Sequence, residues 1–189
     1  MRFLGALVAL TSLLAVGAIV WTFWPAPKPE RPLAIGGDFS LTYETGEEAN
    51  TSALFAGRPM LVYFGYTFCP DVCPTTLLDM VVASEETAVD EALVFVSVDP
   101  VRDQPQEIAA YTDLFSPALH GFTGSVEAVE AVKADWAVYS ARHDSEEFTE
   151  YLVDHTTLIF LTDEEHRVVE TFRNGTAAAD LTAAINGRF

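Results

Sequence analysis

Cysteine is scarce in this 189-residue chain: there are two, so a framework of several disulfides is excluded. Cationic residues are scarce as well, ten against 28 acidic ones, for a formal charge of -18. That balance argues against nucleic acid and anionic lipid surfaces as partners and reads as a solvated, acidic exterior. Proline is missing after Pro117, and there is no repeat and no low-complexity tract apart from one proline-rich stretch. Between Phe3 and Trp24 charge is missing altogether.

The charge-free run is long enough to cross a bilayer as a helix, which takes about 20 apolar residues. A cleaved secretory signal is the competing reading, with Arg2 as its positive start. The run outlasts an ordinary signal core, however, and ends in Trp21 and Trp24, residues that suit the membrane interface. Residues 1–24 are therefore expected to be an uncleaved transmembrane anchor, with Arg2 holding the N-terminus in the cytoplasm and the rest of the chain outside it. Residues 25–37, opening with Pro25-Ala26-Pro27-Lys28-Pro29, predict a stiff, extended tether. Residues 38–189 leave room for one domain with a sizeable core.

Within that domain Asp38 to Thr42 predicts a short edge strand, and Met60 to Phe64 and Ala92 to Val98 predict two buried strands. Thr157 to Leu161 and Val168 to Phe172 read as an antiparallel hairpin, with a further strand over Val138 to Ala141. Helices are predicted over Thr75–Val89, Gln104–Leu114, Ser125–Trp136 and Thr176–Ile185, with Ser125 as an N-cap. Parallel units that feed a hairpin and a final helix describe an α/β domain of thioredoxin type, a central mixed β-sheet flanked by helices.

Both cysteines lie in Cys69-Pro70-Asp71-Val72-Cys73-Pro74, directly after the first buried strand. Pro74 suits the first position of the following helix, which would put Cys73 near the N-cap, where the helix dipole favours a thiolate. Asp71 opposes that by adding a nearby negative charge. Pro70 keeps Cys69 out of helical geometry, so the sulfurs can face one another across a turn. A nucleophile, a disulfide and a soft-metal site are all open on these residues, against the plainer reading of two inert buried thiols. The three intervening residues depart from the two of a thioredoxin-like redox motif.

A third donor is offered by His155, in Val153-Asp154-His155-Thr156 just before the hairpin. In thioredoxin-like domains that loop approaches the cysteine corner and usually carries a cis-proline in thiol oxidoreductases; here the slot holds an imidazole. Two thiolates and one imidazole suit Cu(I), can hold Cu(II), and do not exclude Zn(II). His120, His143 and His166 read as structural or solvated, with His143 the best auxiliary. Met80 and Trp136 read as core filler, and no methionine-rich stretch exists. Asp154 can orient the histidine loop and Asp71 can gate metal exchange; either is as readily a turn former.

Taken together, Tyr66-Thr67-Phe68-Cys69-Pro70-Asp71-Val72-Cys73-Pro74-Thr75, Ser97-Val98-Asp99-Pro100 with Arg102-Asp103, and Val153-Asp154-His155-Thr156 give the chain its resemblance to the Sco/SenC copper proteins. The resemblance runs from about Asp38 to the C-terminus. It implies copper bound by Cys69, Cys73 and His155 in a metallochaperone that supports assembly of the dinuclear copper site of cytochrome c oxidase subunit II. An upstream periplasmic copper carrier, and a place on the bacterial inner membrane with the domain facing the periplasm, go with that reading. The alternative it carries is a thiol-disulfide reductase in which Cys69 and Cys73 keep the oxidase cysteines reduced. A peroxidase of peroxiredoxin type is a third option, but it needs a cation at the thiol and none lies near the corner in sequence.

Overall fold

Residues 35–144 and 150–189 are described by a computed structural model; the expected anchor, and the tether up to residue 34, lie outside them. Among the described residues no helix is long and apolar enough to cross a membrane. The elements follow in the order β1 (Ser40–Tyr43), β2 (Glu48–Asn50), α1 (Thr51–Leu54), β3 (Met60–Gly65), α2 (Val72–Glu86), β4 (Ala92–Ser97) and α3 (Pro105–Thr112). After these come β5 (Leu119–Thr123), α4 (Val126–Asp135), β6 (Ser140–His143), β7 (Leu152–His155), β8 (Leu158–Thr162), β9 (Val168–Arg173) and α5 (Ala178–Arg188).

Every residue of β3 and of β4 is buried, as continuous apolar runs require of strands covered on both faces. The two pair in parallel from Met60 opposite Ala92 to Gly65 opposite Ser97, so their carboxyl ends finish side by side. They are the centre of a seven-stranded mixed sheet, ordered β2-β1-β5-β4-β3-β8-β9, in which β4 and β5 are parallel and β8 returns antiparallel to β3. Helix α2 packs with α5, and Asn186 of α5 accepts from the Thr87 hydroxyl at 2.8 Å and the Ala88 amide at 3.2 Å, which ends α2 there. Trp136 anchors the aromatic core, its ring centroid 5.6 Å from those of Phe64 and Phe160.

The thioredoxin-type plan of a mixed sheet with helices is the one expected, while four details differ. Helix α2 begins at Val72 rather than Thr75, because Pro74 occupies its third position, where an amide hydrogen still has no helical partner to lose. Strand β5, where the sequence predicts no element, takes in His120 and Gly121; Gly121 is needed because a Cβ there would sit 2.2 Å from Ile108 Cγ2 of α3. Strand β2 pairs outside β1, so β1 is not an edge. His155 ends strand β7, which pairs with β6 in a separate two-stranded ribbon that sets Ser140 opposite His155. Ser125 does cap α4, accepting from the Ala128 amide at 3.1 Å.

Candidate metal centre

Strand β3 stops at Gly65, and the chain turns through a hydrogen bond from the Cys69 amide to the Tyr66 carbonyl before entering α2. Asp71 is the N-cap, yet its side chain makes no cap hydrogen bond. A sulfur does that work: the Cys73 amide, in the first turn of α2, donates to Cys69 Sγ at 3.4 Å. Cys69 is thus the thiol that faces the helix N-terminus, whereas Cys73, expected in that role, lies inside the first turn and is wholly buried. Hydrogen bonding from the Cys73 thiol, aided by the backbone amides of Cys73, Asp71 and Val72 and opposed by burial, pushes the Cys69 thiol down to about 6. Burial first, then the Cys69 sulfur, push the Cys73 thiol far up. At neutral pH these shifts favour an ionised Cys69 beside a protonated Cys73.

His155 comes to the same place from β7. Its Nδ1 lies 3.0 Å from the Val153 carbonyl, which can only accept, so Nδ1 carries the hydrogen and Nε2 is left with a free lone pair. Burial holds the imidazole below its usual range, hence neutral, and that opposes the backbone carbonyl and Asp154, which both favour the charged form. Nε2 stands 3.5 Å from Cys73 Sγ. The Tyr66 ring meets the imidazole edge-on, 5.5 Å away, and limits its rotation.

A donor spacing of 3.5 Å fits a metal ion between the two atoms. With zinc's bond lengths as a ruler, about 2.3 Å to sulfur and about 2.0 Å to nitrogen at a tetrahedral angle place the donors roughly 3.5 Å apart. Among the described residues no three His, Cys, Asp or Glu side chains already form a metal cluster. Cys73 and His155 are the two candidate donors that stand together, while Cys69 is tied to the Cys73 amide. A cleft of about 210 Å³ gives access, lined among others by Tyr66, Cys69, Asp71, His143, Asp154 and His155.

The sequence profile of the SCO1/SenC family matches residues 27–188. The chain belongs to the SCO1/SenC family. The human mitochondrial SCO1 homolog is 38% identical over 160 residues, 82% of this chain and 52% of that protein. The chain therefore spans about half the length of that curated relative. Among solved structures, Arabidopsis thaliana ScoI with copper bound is 35% identical with a TM-score of 0.76, covering 82% of this chain and 97% of that one. Bradyrhizobium japonicum ScoI with copper bound is 33% identical with a TM-score of 0.72, covering 82% of this chain and 100% of that one.

In this SCO1/SenC domain the remaining candidates take the following places. His143 sits at the cleft, its Nδ1 3.3 Å from Asp154 Oδ2, so Asp154 faces His143 and solvent. Asp71 lines the cleft beside Cys69. His120 is half-buried and bonds the Tyr43 hydroxyl at 2.7 Å, and His166 is buried against Asp38; both are structural. Met80 and Trp136 are buried in the core. Tyr63 escaped attention as one letter of an apolar run, but its hydroxyl donates to Cys73 Sγ at 3.8 Å. The signal was available: a tyrosine in a wholly buried strand has to aim its hydroxyl at a partner.

Proposed function

We propose that this protein is a copper metallochaperone that binds Cu(I) and Cu(II) through Cys69, Cys73 and His155. The observation that carries the reading is the neutral imidazole whose free Nε2 lies 3.5 Å from Cys73 Sγ, with a pre-ionised Cys69 at the same cleft. Relatives solved with copper bound support it, since two soft thiolates and an imidazole are a donor set for that metal. The cargo passes to the dinuclear copper site of cytochrome c oxidase subunit II, and an upstream periplasmic copper carrier supplies it. Residues 1–24 anchor the chain in the bacterial inner membrane with the N-terminus in the cytoplasm, 25–37 form the tether, whose last residues Gly36 and Gly37 dock on the domain through the Asp135 and His166 carbonyls, and 38–189 are the thioredoxin-like domain in the periplasm. The charge-free run and the proline-rich stretch after it support that arrangement.

The test is a chelator competition on the full chain. His155→Ala is expected to lower copper affinity at least as much as loss of a ligand's outer hydrogen-bond partner does, about 10- to 100-fold. Unchanged affinity for both oxidation states would remove His155 from the site.

The ionised Cys69 favours a second reading, a thiol-disulfide reductase. Its thiolate attacks a disulfide of the partner, forms a mixed disulfide and releases the partner's first sulfur as a thiolate; Cys73 then attacks Cys69 Sγ and displaces the partner's second sulfur, its proton going to one of the two released thiolates while the other takes a proton from water. The protein ends as a Cys69–Cys73 disulfide and the partner as two thiols. Failure of the reduced chain to exchange with an oxidised copper-site peptide, with or without copper, rules this out. For the peroxidase option, Arg102 does fold back toward the corner, but its hydrogen bonds go to Asp99 and Tyr151.

A further inference from the structure

The copper donors sit on two pieces of chain joined through the sheet: β3 leads into the cysteine turn, and β8, which pairs with β3, begins three residues after His155, so the chain after His155 is held there while the start of β7 depends on other contacts. Cys69 and Cys73 belong to the turn between β3 and α2, while His155 ends a two-stranded ribbon outside the main sheet. Such a ribbon is marginally stable alone, so what fastens it decides where His155 stands.

Arg102 touches both pieces. Its Nε donates to Asp99 Oδ2 at 2.5 Å, and its Nη1 donates to the Tyr151 carbonyl, the residue just before β7, at 2.9 Å. The guanidinium carbon stacks 3.6 Å from the centroid of the Tyr151 ring, and the Tyr151 hydroxyl donates to Asp99 Oδ1 at 2.8 Å. The same guanidinium lies 5.2 Å from the ring of Phe68 and 5.7 Å from that of Tyr66, the aromatics that flank the approach to Cys69. Arg142 of β6 stacks 3.7 Å from the Tyr151 ring, so two cations share one aromatic face pair. Asp99 is buried, and Arg102 is the cation that neutralises it.

We propose that Arg102 is a positioning residue: tied to Asp99, Tyr151 and the rings beside Cys69, it holds β7 in the register that brings His155 Nε2 to Cys73 Sγ. This rests on the copper-binding reading above. An exposed cation–π contact with no such role would leave the metal indifferent to it. The clamp predicts instead that Arg102 acts on copper only through His155.

The experiment compares wild type, Arg102→Gln, Arg102→Lys, His155→Ala and the Arg102→Gln/His155→Ala double variant, each as the full chain. Cu(I) loss to a chelator is timed, and nitrogen hyperfine coupling is read by EPR on the Cu(II) form. Arg102→Gln is expected to speed copper loss about 10-fold or more, within the range seen for outer partners of metal ligands, and to weaken the imidazole nitrogen coupling. Arg102→Lys keeps the charge but not the fork and is expected to fall between the two. In the His155→Ala background Arg102→Gln should add nothing. Wild-type copper loss in Arg102→Gln, undiminished nitrogen coupling, or a full acceleration that persists without His155 each overturns the proposal. Wild-type copper loss in His155→Ala overturns the ligand assignment instead. If Arg102→Gln does not fold, Tyr151→Phe, which removes only the hydroxyl bonded to Asp99, is expected to speed loss in the same direction by a smaller factor; a wild-type rate there overturns the clamp.

Discussion

Gly65→Ala puts one methyl group where the site has no room for it. An added Cβ would lie 2.8 Å from Cys73 Sγ, 2.9 Å from Phe95 Cε2 and 3.1 Å from Tyr63 Cε1. Ordinary contact begins at 3.4 Å, so the sulfur has to give by 3.4 − 2.8 = 0.6 Å or the strand has to bend. Neither is easy, because Cys73, Phe95 and Tyr63 are all wholly buried and Gly65 pairs with Ser97 at the sheet's centre. Overpacking a tight core costs about 1–3 kcal/mol. For a chain of this size that lowers the melting temperature by roughly 3–10 °C. A displaced Cys73 sulfur also leaves its 3.5 Å spacing from His155 Nε2, so copper affinity should fall together with stability. Thermal melts of the metal-free reduced chain and a chelator competition read the two effects. Gly187→Ala is the control: nothing lies within 4 Å of its Cβ position, and an alanine in α5 should be neutral or stabilising by about 0.5–1 kcal/mol. A Gly65→Ala protein with wild-type melting and wild-type copper affinity would refute the tightness assigned to this corner.

Three expectations concern protons. Alkylation of the reduced, metal-free chain should modify Cys69 before Cys73, with a rate that rises through about pH 6, and Cys73→Ala should move that rise upward because the Cys73 thiol is the main cause of the low value. Cys69 is depressed in the fold, so its share of stability should grow between about pH 6 and the ordinary thiol range and be lost as pH falls through about 6; Cys73 is raised, so stability should fall again above that range. Thermal melts against pH check both limbs. Copper(I) loading near pH 7.5 should release about one proton, that of Cys73, since Cys69 is already ionised and His155 already neutral. Release of two, measured in weak buffer, would mean that Cys69 rests as a thiol.

The sheet's centre was legible because β3 and β4 are unbroken apolar runs, and the hairpin because β8 and β9 flank a charged turn. The periodic rule fails where strands are short or carry polar residues. β5 contains His120 and Gly121, and β7 contains Asp154 and His155; each owes its extended form to a neighbour in space. The three candidate donors were legible from residue type and order. Their unequal states were not, since the start of α2 at Val72 decides which sulfur the helix amides reach, and Pro74 fits either the first or the third position. The clamp of Arg102 on Tyr151 joins residues 49 apart and leaves no local pattern to read.

The unequal cysteines bring the metal and thiol readings onto one feature. On the two proposed readings, an incoming copper ion and an incoming disulfide would both meet Cys69 first, because it is the more acidic thiol and lines the cleft, and both would then engage Cys73 behind it. The two uses exclude one another at any instant, because a Cys69–Cys73 disulfide has no thiolate left for a metal. What separates them is His155. Exchange needs only an accessible thiolate and its resolving partner, whereas a soft metal gains its third donor from Nε2. A chain that loses copper but keeps disulfide exchange in His155→Ala has both functions built on one thiol pair; a chain that loses both uses the imidazole to place Cys73 as well as to bind metal.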